Sequence, residues 1–212
     1  VTLSAGGSVR WLRDTLGLAE KNVAALSGVS SYVILDSEAA NAPAGCEGLM
    51  FLPYLTVERT PYPDPNARGT FFGLTLRHDK RHMVRAVLEG VAYSLRDSIE
   101  LFRDLGIPIQ QVRATGGGAR SNLWRQILAD VFGTELVTVN VTESTAYGAA
   151  LLAGVGTEVY DSVPEACSAT IRIIDRTEPA SDSQAAYNEY YPIYRSLDRA
   201  LKPAFDAVSA IG

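Results

Sequence analysis

From about Asp79 to Leu105 the chain carries its most constraining pattern. Met83, Ala86, Val87, Gly90, Val91, Ser94, Leu95, Ser98, Ile99 and Phe102 recur at helical spacing. Arg81, Arg85, Glu89, Arg96 and Arg103 fall mostly away from that face, and Gly106 and Pro108 stop the helix. Beyond it, strands and helices alternate. A short strand at 111–114, a glycine turn at 115–118, a helix over 122–132, a strand over 135–140 and a small-residue helix over 144–154 succeed one another. After Asp161 come a short helix, a strand at 171–174 and a closing helix over about 182–207. Ahead of the long helix, the pattern predicts a helix over 8–16 ended by Gly17 and a weaker helical stretch over 20–40. Ala42-Pro43-Ala44-Gly45 breaks that stretch. A buried strand at 49–52, a proline-bearing loop at 56–69 and an aromatic strand at 69–76 come next. Helices alternating with strands predict an α/β fold, with helices packed on a mixed sheet. Residues 1–212 read as a single domain.

Charge and cysteine content exclude several functions. Nineteen Lys and Arg stand against 24 Asp and Glu, a formal net charge of −5. No basic run accompanies it, so a phosphate grip on nucleic acid is not expected. The lysines are Lys21, Lys80 and Lys202, and none follows a glycine, which excludes a Walker-type loop. The longest weakly polar stretch, about 146–156, is too short for a membrane span. Cys46 and Cys167 lie far apart in ordinary contexts, as in a reduced, cytoplasmic protein.

The chemistry-bearing stretch is Arg113-Ala-Thr-Gly116-Gly117-Gly118-Ala119-Arg-Ser121-Asn122. A strand delivers the chain to three glycines, and a helix opens at Ser121 or Asn122, both good N-cap types. Bare backbone there lets a planar or phosphorylated ligand approach, and the helix start adds free N–H groups. A tight turn that binds nothing is the other reading. A Rossmann site is disfavoured, because Ser121 stands where its third glycine would be and the next strand ends on Asn140. Ala146, Ala149, Ala150 and Ala153 form a smooth face expected to pack closely on a neighbouring helix. His78 and His82, the only histidines, lack a third ligand or an H-E-x-x-H frame and read as a solvated helix start. Trp11 and Trp124 read as core or half-buried packing.

Several of these segments together resemble a known family. Gly69-Thr-Phe-Phe-Gly73-Leu74 followed by His82-Met-Val-Arg-Ala86-Val87-Leu88-Glu89 is similar to the second signature of the FGGY carbohydrate kinases. Phe51-Leu-Pro-Tyr-Leu, Glu58-Arg-Thr-Pro61 and Asp64-Pro-Asn-Ala-Arg-Gly69 resemble its xylulose kinase branch. Gly116 to Asp130 resembles that branch's adenosine-binding turn and helix, and Ala146 to Ala153 the helix after it. The resemblance covers about residues 5–160, in the family's order.

It implies the actin-like (ribonuclease H-like) C-terminal domain of a two-domain sugar kinase, apparently incomplete at its start. The opening Val-Thr-Leu-Ser-Ala-Gly-Gly is expected to be the later part of a longer protein. The activity implied is transfer of the ATP γ-phosphoryl to a pentulose, D-xylulose above all. Ribulose, gluconate or glycerol, or a non-catalytic actin-like nucleotide-binding module, are the alternatives. By resemblance, Gly117 and Gly118 face the nucleotide, Asn122 hydrogen-bonds it, and Gly116 and Ala119 support the turn. The general-base Asp, most of the Mg²⁺ site and the sugar contacts are expected in the other domain, so this chain alone is expected to be inactive. It is also expected to expose apolar surface and self-associate, a homodimer included. A side chain at Gly118 is expected to block the nucleotide and leave the fold intact.

Overall fold

The computed structural model describes residues 2–61 and 63–211. Three helices open it: α1 (Ala5–Leu16), α2 (Leu18–Ser27) and α3 (Ser31–Ala39). The weak helical stretch over 20–40 is thus two helices, parted where Gly28 turns left-handed at φ +73°. Strands β1 (Met50–Leu52) and β2 (Thr70–Phe72) pair antiparallel, Phe51 opposite Phe71, on either side of the irregular proline-bearing loop. The long helix is α4 (Lys80–Asp104), with Asp79 at its N-cap. Beyond it run β3 (Val112–Ala114), α5 (Asn122–Phe132), β4 (Leu136–Val139), α6 (Ser144–Gly156), α7 (Val163–Thr170), β5 (Ile173–Thr177) and α8 (Ser181–Ser209).

β3 and β4 are parallel, Val112 opposite Leu136, and β5 adds antiparallel to β4. This is a mixed sheet, ordered β3-β4-β5. The expected strand at 171–174 starts later and runs further, from Ile173 to Thr177, because α7 continues to Thr170 and Ile173, Asp175, Arg176 and Thr177 pair with β4. These polar residues suit β5 because its outer side is largely exposed.

Helix α4 is the element on which several others pack. α1, α3, α5 and β1 all pack on it. Val84, Ala86, Val87, Leu88, Val91 and Ala92 lose nearly all solvent contact. Each larger side chain buried this way contributes about 1.5–3 kcal/mol. The helical repeat assigns α4 one apolar face and turns Arg85 and Glu89 away from it. The structure keeps them on a second face and buries both. Arg85 Nε donates to Glu89 Oε1 at 2.7 Å, and the other guanidinium nitrogens donate to Ala42 O and Tyr187 Oη, each at 2.9 Å. Glu89 Oε1 also accepts from Tyr187 Oη at 2.8 Å and from the Gly45 N–H at 3.1 Å. Burial works against the Arg85 charge, but Glu89 and Tyr187 more than restore it and raise its pKa. The second polar face is covered because α8 crosses there. Tyr93 of α4 packs against Tyr187, Tyr191 and Tyr194 of α8, ring centroids 5.0–6.0 Å apart.

Two further expectations change. His82 is buried rather than solvated, and its Nδ1 accepts the Asp79 N–H at 3.2 Å while Asp79 accepts the Arg81 N–H at 3.0 Å. This reciprocal cap fixes the start of α4. The alanine face of α6 does not pack closely. Ala146, Ala149, Ala150 and Ala153 are all exposed, with Leu152 62% exposed beside them. α6 meets α7 through other positions, and no element of the described chain covers the alanines.

Two outcomes are expected. Glu89→Ala strands a guanidinium, a phenol and a backbone N–H in the interior and should cost about 3–5 kcal/mol in denaturant unfolding. A cost under about 1 kcal/mol would show the network to be solvated. The bare α6 face should make the chain self-associate when expressed alone. Sedimentation at rising concentration reads this, and a strict monomer at millimolar concentration counts against it.

Candidate functional site: the glycine turn and its cleft

β3 runs into Gly116, which stands at φ +81° and ψ −167°, a backbone conformation open essentially to glycine alone. One short 3₁₀ turn, Gly117–Arg120, then leads to Ser121. Ser121, not Asn122, is the N-cap of α5, and its Oγ accepts the Trp124 N–H at 3.0 Å. Trp124 reaches back across the helix pair, and its indole N–H donates to Leu88 O at 3.2 Å. The turn is thereby fastened to α4 through one buried side chain.

A cleft of about 590 Å³ opens beside the turn. Gly117, Gly118 and Ser121 form one wall, and Tyr32, Val33 and Asp36 of α3 another. The start of α1 contributes Gly6, Gly7, Val9 and Arg10, while Leu88 and Trp124 line it from the core. The volume lies within the range of small-ligand sites, and the mix of apolar wall, bare backbone and few polar groups is typical of them. Arg10 and Arg120 line the cleft and are exposed. Burial pushes the Asp36 carboxyl up, and the facing Ser121 hydroxyl draws it part of the way back. A smaller hollow of about 450 Å³ adjoins it, sharing Gly117, Gly118 and Trp124 and otherwise lined mainly by apolar groups such as Leu95, Leu128 and Phe132.

Of the residues singled out from the sequence, Gly117 and Gly118 come together on the cleft wall. Gly116 shapes the turn behind them. Ala119 lines the smaller hollow. Asn122 is exposed and outside the cleft lining, its Oδ1 accepting from Arg125 Nη2 at 2.7 Å. Arg125 in turn reaches Asp175 of β5 at 2.7 Å. The sequence reading missed Tyr32, Asp36 and Arg10. Tyr32, Val33 and Asp36 share one side of a short helix, but only the tertiary fold brings that side opposite the glycines.

The two cleft glycines are bare for different reasons. A Cβ on Gly118 would stand 2.5 Å from Trp124 Cζ3 and 2.9 Å from Cε3. A Cβ on Gly117 would meet nothing within 4 Å. The expectation that a side chain at Gly118 leaves the fold intact is therefore overturned, because the anchored indole occupies that space. Gly118→Val should lower stability by about 1–3 kcal/mol, while Gly117→Val should stay within about 0.5 kcal/mol of wild type. Thermal midpoints of the two variants check this, and equal midpoints would refute the assignment of Gly118 to Trp124 packing.

Residues 2–157 match the FGGY family of carbohydrate kinases, C-terminal domain. Gluconokinase of Bacillus subtilis is 39% identical over 206 residues, covering 96% of this chain and 40% of the relative. Xylulose kinase of Staphylococcus epidermidis is 35% identical over 202 residues, covering 95% of this chain and 39% of the relative. The crystal structure of ligand-bound xylulose kinase from Lactobacillus acidophilus superposes with a TM-score of 0.82 at 31% identity, covering 96% of this chain and 39% of that one. The chain thus spans about two fifths of the length of the relatives it matches. Its mixed sheet flanked by helices is the actin-like fold of these kinases. The chain belongs to the FGGY family of carbohydrate kinases.

Proposed function

We propose that the protein carrying this chain transfers the γ-phosphoryl of ATP to a pentulose, with D-xylulose as the substrate, and that this chain supplies the nucleotide side of the site as a single domain. The observation that carries the reading is the cleft beside Gly117, with open backbone on one wall and apolar side chains across from it. A planar base fits against Gly117 because no Cβ intervenes. Arg10 and Arg120 bring positive charge to a ligand that carries several negative ones. Gly116 and Ala119 then hold the turn. Asn122, next to the cleft-lining Ser121, is the polar group that hydrogen-bonds the nucleotide on this reading.

Phosphoryl transfer needs positioning, charge neutralisation and a carboxylate base at the sugar hydroxyl. This chain performs the first of these for the adenosine. Mg²⁺ is expected with the nucleotide, and on this reading it is held mainly by the partner domain. The sugar contacts and the base belong, on this reading, to the partner domain. Gluconate is the second candidate sugar, favoured by the 39% identity to a gluconokinase. Cys46 and Cys167 are both free thiols, in keeping with a cytoplasmic enzyme. No described helix is long and apolar enough to cross a membrane.

Coupled ADP-release assays test the reading. The full-length protein should turn over D-xylulose at about 1–100 s⁻¹ with Mg·ATP and prefer it to gluconate in kcat/KM. The 212-residue chain alone should show no turnover. Preference for gluconate would move the substrate assignment, and turnover by the isolated chain would overturn the division of roles. Gly117→Val should weaken ADP binding about 10-fold or more with an unchanged thermal midpoint. Unaltered ADP affinity in that folded variant would remove the nucleotide from this cleft.

A further inference from the structure

Asp36 is the charged group of the cleft that phosphoryl transfer leaves without a task. It stands on α3, far along the chain from the glycine turn, yet it lines the same cleft as Gly117, Gly118 and Ser121. The Ser121 hydroxyl faces it, and that same oxygen accepts the Trp124 N–H, so the group beside Asp36 is fixed by the helix cap. Among the described residues no cation forms an ion pair with Asp36, although Arg10 and Arg120 line the same cleft. An ionised carboxylate only accepts hydrogen bonds, up to four of them. Half-buried in the cleft with the Ser121 hydroxyl facing it, the carboxylate keeps acceptor capacity for further donors. A nucleoside that fills the cleft shuts solvent away from the carboxylate and is best accommodated if it brings a donor of its own. Its phosphates have none to offer. A ribose hydroxyl or an exocyclic amine does.

We propose that Asp36 is a specificity-determining residue of this cleft, accepting a hydrogen bond from a ribose hydroxyl or exocyclic amine of the bound nucleoside. The cleft then favours nucleosides that carry that donor and discriminates against those that lack it. This rests on the nucleotide reading of the cleft. It differs from that reading in assigning the selectivity to α3 rather than to the glycine turn.

Calorimetric titration of the purified protein with ADP, 2′-deoxy-ADP, 3′-deoxy-ADP and inosine 5′-diphosphate tests the assignment in wild type, Asp36→Asn and Asp36→Ala. Wild type should bind ADP and bind one of the analogues about 10-fold or more weakly, the loss expected for a hydrogen bond to a charged group. Weakening with a deoxy analogue assigns a ribose hydroxyl, and weakening with the inosine nucleotide assigns the amine. Asp36→Ala should lose a similar factor for ADP and no longer separate ADP from that analogue. Asp36→Asn keeps the shape of the side chain, so it carries the test if Asp36→Ala does not fold. ADP affinity unchanged in both variants, or discrimination that survives in them, overturns the role of Asp36 and leaves the nucleotide reading standing. Failure of wild type to bind ADP overturns the nucleotide reading itself, and this assignment with it.

Discussion

The hydrogen bond from the Trp124 indole to Leu88 O, 3.2 Å long, is the contact on which the site depends. It joins the first turn of α5 to the middle of α4, the helix on which several other elements pack. An indole buried with its N–H satisfied is held in position and orientation, not only in depth. Gly118 lies against that ring with no room for a Cβ. The turn therefore inherits its position from the core through one side chain, and Gly117, the next residue back, is left free to face the cleft. Rigid support behind a bare backbone is what a binding wall requires, since every group ordered on binding subtracts from affinity.

Much of the fold was legible because its signals are local. The repeat of α4, the glycines that end α1 and α5, and the apolar run at β1 are each set by a few neighbouring residues. The helix Asn122–Phe132 has the predicted bounds, since a Ser N-cap and a C-terminal Gly133 at φ +61° bracket it. The mixed sheet also followed from alternation. β5 was misplaced because Ile171, Ile173 and Ile174 suggest an apolar strand. Most of its pairing runs through Asp175, Arg176 and Thr177, on an exposed side where apolar character has little bearing on register.

What was not legible depends on groups distant in sequence. A helical repeat locates one buried face, but a helix covered by α8 as well as by β1 has a second. There the polar character of Arg85 and Glu89 is satisfied internally instead of by water. Their partners Ala42, Gly45 and Tyr187 lie far along the chain, so no spacing rule names them. The alanine stripe of α6 failed in the opposite sense. Small residues permit close approach but supply little apolar area to drive it, and among the described residues nothing meets them. Within the candidate site the same division holds. The glycines were found from a local pattern, whereas Asp36 acquires meaning only from the cleft that α3 and α5 form together.

The overall charge of −5 and the character of the cleft then need not agree, and the reason is one of distance. At physiological salt, exposed charges more than about 8 Å apart are largely screened. A ligand in the cleft therefore senses the groups that line it far more than the acidic surface elsewhere. Those groups are Arg10, Arg120 and Asp36, a local excess of one positive charge even with Asp36 ionised. The two guanidiniums are exposed and the carboxylate is half-buried. Positive charge thus stands where a polyphosphate would remain in contact with solvent, and the acceptor stands where a neutral nucleoside would be enclosed. An acidic chain excludes a broad phosphate-binding surface. It does not exclude a cleft in which the two parts of a nucleotide would meet opposite requirements.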